Sequence, residues 1–420
     1  MAAAKHLPGL GQELADLKYA DFWDWFVKVN DPVEMWRAQP TYVLSQLAYA
    51  LGGLFTLLHA LRNGGRLPFV WLAAVLHGLV VESMSNWLED VDNFWHAQAI
   101  VIFLGRRLPL HIILLYPVFI YNAVVAGSHM NLHRWAEPFA AGLMVVLIDI
   151  PYDIVSVKFI HWSWHDTDPN IADRHYWVPW NSYYFHATFA ASFCFWLTAW
   201  REARWKRGSF LQEIKNCTLA SLLGTPGGVL LFLPVYHPLH DIAKIHSEVT
   251  FFIIFTVFLS IIWSSDRSPK PQTQGNECRW NKLLLIHLVL HYSLFLGMVL
   301  FGHPENEIST GFHERVGPCD ETVPVQTAFG LVLQKKRYLC ASNYDEAYFD
   351  FHCLPGGKLP ANGVSWYTIC GNPFTNRTEY IAIILTICFL AATVFGNIYI
   401  RSTSFKKDGN LTMKSKQKRH

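Results

Sequence analysis

The sequence predicts an all-α protein: a polytopic bundle of about nine transmembrane helices with a cysteine-containing lumenal loop. Hydrophobic residues make up 52% of the 420-residue chain and charged residues only 16%, whereas soluble domains carry about 25% charged residues. The apolar residues are also gathered into runs of about 20, the length that crosses roughly 30 Å of hydrocarbon as a helix. Together these observations predict a multi-pass membrane protein.

Nine apolar runs are long enough to cross a membrane, and the pattern allows eight to ten crossings. The runs are residues 41–61, 67–86, 108–127, 135–157, 182–200, 218–236, 247–263, 283–302 and 380–400. The chain therefore divides into an N-terminal interfacial segment (1–40), a bundle of about eight spans (41–302), a loop (303–378), a last helix (379–400) and a basic tail (401–420). The first 40 residues lack the pattern of a signal peptide, and aromatic residues mixed with acids and lysines predict an interfacial helix or a cap there.

Positive charge gives the predicted bundle an orientation. Lysine and arginine are concentrated in the tail 401–420 and in the connection 201–215. With nine spans both lie on one side, which the positive-inside rule makes cytosolic. Arg106 and Arg107 lie on the opposite side, against this rule. The sequence Lys-Gln-Lys-Arg-His at 416–420 matches a retrieval signal of the Lys-x-Lys-x-x form, which favours residence in the endoplasmic reticulum.

The loop 303–378 then faces the lumen. It contains Cys319, Cys340, Cys353 and Cys370, an even set that lies outside the predicted spans. Such a set is typical of two disulfides in an oxidising compartment, with three connectivities open. A zinc site is the alternative interpretation, but no Cys-x-x-Cys pair supports it.

Acidic residues occur inside two of the predicted spans. Glu82 and Asn86 lie four residues apart on one helical face, and so do Asp149 and Asp153 on another span. Both spans run towards the lumen, so the two faces and the connection 161–181 meet at one depth. Because charged groups at membrane depth are costly, they predict a substrate or ion site. A buried polar network that pins the helices together is the alternative.

Histidine pairs four residues apart raise the question of a metal. They are His129 with His133, His161 with His165, and His287 with His291. A di-iron oxygenase would need adjacent histidines gathered on one face, which this sequence lacks. A zinc amidohydrolase of the ceramidase or adiponectin-receptor type would match Ser85, Asp149 and the pair His287/His291, but at mismatched depths. We therefore expect no cofactor and predict no metal ligand set, with zinc at His287/His291 as the alternative.

Short motifs in residues 67–200 resemble the integral-membrane carotenoid-biosynthesis family of the hydratase type. They are Glu82, Pro109-Leu110-His111, Asp149-Ile150-Pro151, Trp162-Ser163-Trp164 and Val178-Pro179-Trp180-Asn181. The chain differs in its additional histidines, in Trp177 where the family has glycine before Val-Pro, and in everything after about residue 210. We interpret it as a eukaryotic relative of that family.

The resemblance implies hydration of an isoprenoid double bond. This chemistry needs a protonated carboxyl as proton donor, a placed water, and aromatic faces that stabilise a cation. The candidate catalytic residues are Glu82, Asp149, Asp153, His161, His165 and His175, and the candidate substrate-binding residues are Asn86, Trp162, Trp164, Trp180 and Asn181.

The sequence therefore predicts an enzyme that acts on an isoprenoid or other apolar lipid by carboxylate acid–base chemistry. A non-catalytic scaffold and a transporter that uses the acidic and histidine cluster remain alternatives. A cavity lined by indoles would favour the enzyme, a path across the bilayer the transporter, and a packed interior the scaffold. The expected partner is a membrane lipid and not a nucleic acid, and the oligomeric state is left open.

Overall fold

The fold is a bundle of long helices whose connections carry short strands. A computed structural model describes residues 17–88, 91–130, 132–164, 167–201, 204–268, 281–327, 329–340, 342, 344, 346–357 and 363–417, with the backbone alone for 401–417. The helices are α1 (Phe22–Phe26), α2 (Pro32–Ala38), α3 (Pro40–Asn63), α4 (Leu67–Trp87), α5 (Leu110–Tyr116), α6 (Asn122–His129), α7 (Glu137–Lys158), α8 (Trp180–Thr198), α9 (Phe210–Tyr236), α10 (Ser247–Arg267), α11 (Asn281–Phe301) and α12 (Arg377–Gln417). The expectation of an all-α fold therefore holds for the bundle only, because strands form in its connections.

Two π-helical turns interrupt this regular pattern. One joins α5 to α6 at Pro117–Tyr121, and the other extends α9 at His237–Ile242. Each contains a proline, which has no N–H to donate to the preceding turn. Such turns are frequent at functional sites.

Eight helical stretches in the described part of the chain are long and apolar enough to cross a membrane. They are Pro40–Asn63, Leu67–Trp87, Leu110–His129, Glu137–Lys158, Phe210–Ile242, Ser247–Arg267, Asn281–Phe301 and Arg377–Ile400. Each coincides with one of the nine predicted runs. The remaining run corresponds to α8, whose 19 residues are long enough but include the polar side chains of Asn181, Ser182 and His186. A multi-pass membrane protein is therefore the class of this fold.

The strands gather at one end of the bundle. They are β1 (Val27–Val29), β2 (Phe94–His96), β3 (Val101–Phe103), β4 (Leu108–Pro109), β5 (Trp162–Trp164), β6 (Arg174–His175), β7 (Val178–Pro179), β8 (Ile308–Phe312), β9 (Val316–Gly317), β10 (Thr322–Gln326), β11 (Val332–Lys336), β12 (Leu339–Cys340), β13 (Phe349–Asp350) and β14 (Trp366–Gly371). Strand β1 pairs with β3, β2 pairs with β5, and β8 lies beside β14. A backbone hydrogen bond from Gln98 to Thr310 joins the sheet regions. The described residues of the N-terminal segment, of the connections 88–109 and 159–179, and of the loop 302–376 thus form one layer, the loop end.

Two disulfides stabilise this loop end. Cys319 is bonded to Cys340, and Cys353 is bonded to Cys370. The first closes the base of the β10–β11 hairpin, and the second joins β14 to the residues after β13. The four cysteines therefore form two disulfides, as predicted, and the structure selects one of the three possible connectivities.

The opposite end of the bundle, the basic end, contains a buried network of arginines and glutamates. Glu213 on α9 accepts hydrogen bonds from Arg66 Nε at 2.9 Å and from Arg201 Nη2 at 2.8 Å. Glu137 on α7 is paired in the same way with Arg204. All five ionic side chains lie almost entirely inside the protein. The network connects α4, α7 and α9 with the connection between α8 and α9.

A buried carboxyl lies where the loop end meets the helices. Glu307 Oε1 accepts a hydrogen bond of 3.4 Å from the Thr41 backbone N–H, and Glu307 Oε2 has no hydrogen-bond partner. The Thr41 hydroxyl in turn contacts His161 Nε2 at 2.9 Å. Burial raises the pKa of Glu307 to about 8, so this group holds its proton near neutral pH.

We expect Glu307 to make the free energy of unfolding fall as the pH rises from about 4.5 to about 8. The unfolded chain releases this proton near its ordinary pKa of 4.5, but the folded chain keeps it to about pH 8. Since the folded state binds more protons in this interval, each rise in pH costs stability. Glu307→Gln should flatten the decline in thermal unfolding of the purified protein. The surface variant Glu321→Gln, at an exposed carboxylate of the loop, should keep the wild-type slope, and an unchanged slope in Glu307→Gln would contradict the expectation.

Candidate functional site

A cavity of about 420 Å³ lies inside the bundle, between α4, α5, α7, α8 and α9. Residues 325–327 of the β10–β11 hairpin and Asn93 line it at the loop end. From Leu88 to His77 its wall follows α4, a distance of about 16 Å at the helical rise of 1.5 Å per residue. The cavity is therefore elongated, and it extends from the loop end to about the middle of the helices.

The cavity wall is mainly apolar and carries several carboxyl groups. Among the lining residues that the structure describes, none is a lysine or arginine, whereas three are acidic: Glu82, Asp153 and Asp241. Apolar walls with a few polar groups are typical of sites for small organic ligands. The lack of lysine and arginine among these residues leaves a phosphate or carboxylate on the ligand without a counter-charge, so a neutral or cationic apolar molecule fits best.

Glu82 lies on the α4 wall of the cavity with two polar neighbours. Its Oε1 accepts a hydrogen bond of 2.8 Å from the Tyr116 hydroxyl, and its Oε2 lies 3.6 Å from His96 Nε2. Gly78, one turn before Glu82, makes this possible, because a Cβ there would overlap the Tyr116 ring. Tyr116 directly precedes the first π-helical turn, so local backbone geometry and a glycine together aim its hydroxyl at Glu82.

Asp153 and His186 lie on the cavity wall formed by α7 and α8. The Ser182 hydroxyl donates a hydrogen bond of 2.7 Å to Asp153 Oδ2. His186 lies four residues after Ser182 and keeps 27% of its side chain accessible, since the ring borders the cavity. Its Nε2 is 3.3 Å from Oδ1 of Asp149, which lies behind the wall with an exposed fraction of 0%. Two carboxyls and an imidazole thus form one cluster, the α7–α8 centre (Asp149, Asp153 and His186).

Aromatic rings surround the cavity on the side of Glu82. Trp162 and Trp164 have ring centroids 4.9 Å apart, and Phe94 lies 5.4 Å from Trp164. Tyr152 stacks on Trp162 at 5.9 Å. The β2–β5 pairing produces this aromatic box, because its register places Phe94 opposite Trp164. Aromatic faces stabilise a positive charge beside them.

A second polar group lies near the loop end of the cavity. Asp241, in the π-helical turn after α9, also lines the wall. Its oxygens contact His237 Nδ1 at 2.7 Å and His240 Nδ1 at 2.8 Å. Both carboxylate oxygens are therefore occupied, which makes Asp241 a well-satisfied part of the wall.

The predicted catalytic residues fall into two groups in the structure. Glu82 and Asp153 face the cavity. Asp149 lies behind the wall and contacts His186, which borders the cavity. His161 instead bonds Thr41, and His175 Nδ1 contacts the Tyr183 hydroxyl at 3.1 Å. Burial lowers the pKa of His161 to about 3 and of His175 to about 4, so both are neutral. Neither lines the cavity, and His165 lies outside the described residues.

The predicted substrate-binding residues divide in a similar way. Trp162, Trp164 and Asn181 line the cavity. Asn86 instead accepts a hydrogen bond of 3.2 Å from Arg107. Trp180 packs against Phe251 of α10 at 5.5 Å and is not among the lining residues.

The alternative zinc pair does not acquire further ligands in the described part of the chain. His291 Nε2 contacts the Ile148 carbonyl oxygen at 2.8 Å, and the His287 ring packs on Gly52 of α3. Ser85 donates to the Val81 carbonyl. Ligand atoms from three side chains come together at the α7–α8 centre and at Asp350, His352 and Cys370. In the second group Cys370 is bonded to Cys353, so its sulfur is not a thiolate.

Sequence reasoning missed His186, Ser182, Tyr116 and His96. A signal existed for His186 and Ser182, because Ser182 directly follows Asn181 and His186 lies one helical turn after Ser182. No comparable signal marked Tyr116 or His96, whose partner Glu82 is distant in sequence. Only the packing of α4 against α5 and the β2–β5 pairing bring them to Glu82.

Comparison with known proteins adds a family but no activity. A family model described as a domain of unknown function (DUF7802) matches residues 13–401. No curated protein and no solved structure matched the chain. Since the match spans nearly the whole sequence, this chain belongs to the DUF7802 family.

Proposed function

We propose that this protein is a membrane enzyme that adds water to a double bond of an isoprenoid or another apolar lipid. One observation carries the proposal: carboxyls on opposite walls, Glu82 and Asp153, face the same elongated apolar cavity. A carboxyl in an apolar wall is suited to donate a proton to an alkene. The aromatic box beside it is suited to the cation that results.

Each group has a defined role in this proposal. Glu82, oriented by Tyr116, gives its proton to one alkene carbon, and a new C–H bond leaves a tertiary cation on the other carbon. Trp162 and Trp164 stabilise that cation. A water held by Asp153 and His186 forms the new C–O bond, and the Glu82 carboxylate takes up the proton that the water loses. The atoms balance, and the acid is restored.

The extent of the cavity favours an enzyme over a transporter. Its deepest described lining, at His77 and Thr225, lies near the middle of α4 and α9. Beyond that level, towards the basic end, the helices are joined by the buried network around Glu213. A cavity that ends near the middle of the helices supports binding and reaction more directly than passage across the bilayer.

An isotope experiment tests the proposal. Purified protein is incubated with lipid extracts and single isoprenoids in H₂¹⁸O, and the lipids are analysed by mass spectrometry. Hydration should place ¹⁸O in a lipid alcohol. Asp153→Asn should reduce this label strongly, because the water loses its carboxylate partner.

The matched control for this experiment is Glu321→Gln, at an exposed carboxylate in the β10 strand region. This variant should label lipids at the wild-type rate. Absence of ¹⁸O-labelled lipid from every substrate would contradict the proposal, and so would equal labelling by a folded Asp153→Asn protein.

We also propose that nine helices, α8 included, cross the membrane of the endoplasmic reticulum with the loop end in the lumen. The two disulfides support this side, since disulfides persist in oxidising compartments. The arginines of the basic end and the basic tail support a cytosolic opposite face. The C-terminal tail would then be cytosolic.

An engineered glycosylation site tests this orientation. Asp320→Asn creates the sequence Asn-Glu-Thr at an exposed position of the loop. In cells it should add one glycan that endoglycosidase H removes, seen as a mass shift relative to the parent protein. Asn410-Leu411-Thr412 in the tail should remain unmodified. A glycan on Asn410, or none on the new site in a folded protein, would reverse the orientation.

A further inference from the structure

The α7–α8 centre has the composition of a metal site. Asp149 and Asp153 come from α7 and His186 from α8, and one ligand atom from each lies within 4.8 Å of the others. The two aspartates lie one turn apart, so their side chains share a helical face. The close packing of α8 against α7 brings the imidazole to that face.

Three of the four carboxyl oxygens of this centre receive no hydrogen bond from outside it. Apart from the contacts that Asp149 makes with His186 and with Asp153, neither oxygen of Asp149 has a hydrogen-bond partner, and the same is true of Asp153 Oδ1. Both carboxyls have an exposed fraction of 0%. Buried polar atoms are paired in most proteins, and an unpaired carboxylate is costly. A bound cation would satisfy these three oxygens at once.

The other side chains around the centre suit a ligand set. Ser182 donates to Asp153 Oδ2, which orients this carboxyl and leaves Oδ1 free. Ligating carboxylates are commonly held by such outer hydrogen bonds. His186 and Asp153 border the cavity, so water or substrate could reach a bound ion from that side. Three protein ligands and an open position are typical of catalytic metal sites.

We infer that Asp149, Asp153 and His186 bind a divalent cation of the zinc or manganese class. Two carboxylates and one imidazole provide the mixed oxygen and nitrogen donors that these ions accept. Calcium prefers six to eight oxygen ligands, which this centre does not provide. The inference deepens the proposed function, and rests on it only in assigning the ion to hold the water that is added to the lipid.

Metal analysis of the full-length protein tests the inference. Protein purified without a polyhistidine tag is stripped with a chelator and titrated with Zn²⁺ or Mn²⁺, and bound metal is measured by plasma mass spectrometry. Wild type should bind about one equivalent, as expected for a single centre with three protein ligands. Asp149→Asn and His186→Gln should lose that equivalent. Ser182→Ala should weaken binding by about 10- to 100-fold, the usual effect of removing an outer hydrogen bond.

A second measurement covers variants that fold poorly. Chelation should lower the thermal unfolding temperature of wild type but not of His186→Gln, whose ring borders the cavity and is the least disruptive site. His352→Gln, in the surface group at Asp350, is the matched control and should bind like wild type. A wild type that binds neither ion, or a His186→Gln protein that binds normally, would overturn the inference.

The two proposals fail in different ways. Metal binding without ¹⁸O incorporation into any lipid would retain the ion and reject the hydratase. Hydration by metal-free protein would retain the hydratase and reject the assignment of the ion to the water.

Discussion

Glu82→Gln will lower the rate of lipid hydration by about 100- to 10,000-fold, the usual contribution of a positioned proton donor. Glutamine has nearly the same shape as glutamate and can still accept the Tyr116 hydrogen bond of 2.8 Å. It cannot give a proton to an alkene. The loss should therefore appear in turnover rather than in lipid binding, which depends on the apolar walls.

Two companion variants make this result specific. Tyr116→Phe removes the hydroxyl that orients Glu82 but leaves the acid in place, so its loss of rate should be smaller. Glu321→Gln changes an exposed carboxylate and should have the wild-type rate. Lipid affinity, measured by native mass spectrometry, should be similar in all three. Wild-type turnover in a folded Glu82→Gln protein would remove Glu82 from the mechanism.

Glu213→Ala will destabilise the bundle by about 3–5 kcal/mol, the usual cost of removing one partner from a buried ion pair. Arg66 and Arg201 both donate to Glu213, and all three side chains are buried at the basic end. Alanine would leave two guanidinium groups without their carboxylate in a region that excludes water. Thermal unfolding in detergent should show a large fall in the midpoint, together with reduced expression.

The comparison variants separate lost pairing from lost packing. Glu248→Ala removes a surface carboxylate at the start of α10, about half of which is exposed, and should leave stability almost unchanged. Replacing Arg66, Arg201 and Glu213 together by Met, Met and Leu should recover much of the loss, because apolar residues can replace a buried ionic cluster. Wild-type stability in Glu213→Ala would show that the arginines find other partners.

The helices could be predicted because their signal is local. Each apolar run can form a helix that makes all its backbone hydrogen bonds within the run, as lipid requires. The pairing of Asp149 with Asp153 was visible for the same reason, since one helical turn places them on one face. Even α8 was located, although the polar side chains of Asn181, Ser182 and His186 leave it outside the eight most apolar stretches.

The site could be predicted only in part because its contacts are not local. Glu82 acquires Tyr116 and His96 through packing and strand pairing, and Asp149 acquires His186 across two helices. The many histidines after α7 led to the opposite error, because residues were predicted to be catalytic that do not line the cavity. His161 and His175 are near the carboxylates in sequence, but the short strands of the loop end turn them towards Thr41 and Tyr183.

The β10–β11 hairpin, which lines the loop end of the cavity, is synthesised after the helices that form the walls. The helical walls are complete once the ribosome has produced Ile242, the end of the second π-helical turn. Residues 325–327 arrive much later, and the Cys319–Cys340 bond that closes the hairpin base must wait for Cys340. The newborn bundle therefore passes through a stage with an unroofed cavity, in which lipid can enter before the hairpin covers it. The Cys319–Cys340 bond then fixes the base of the hairpin whose residues line the chamber.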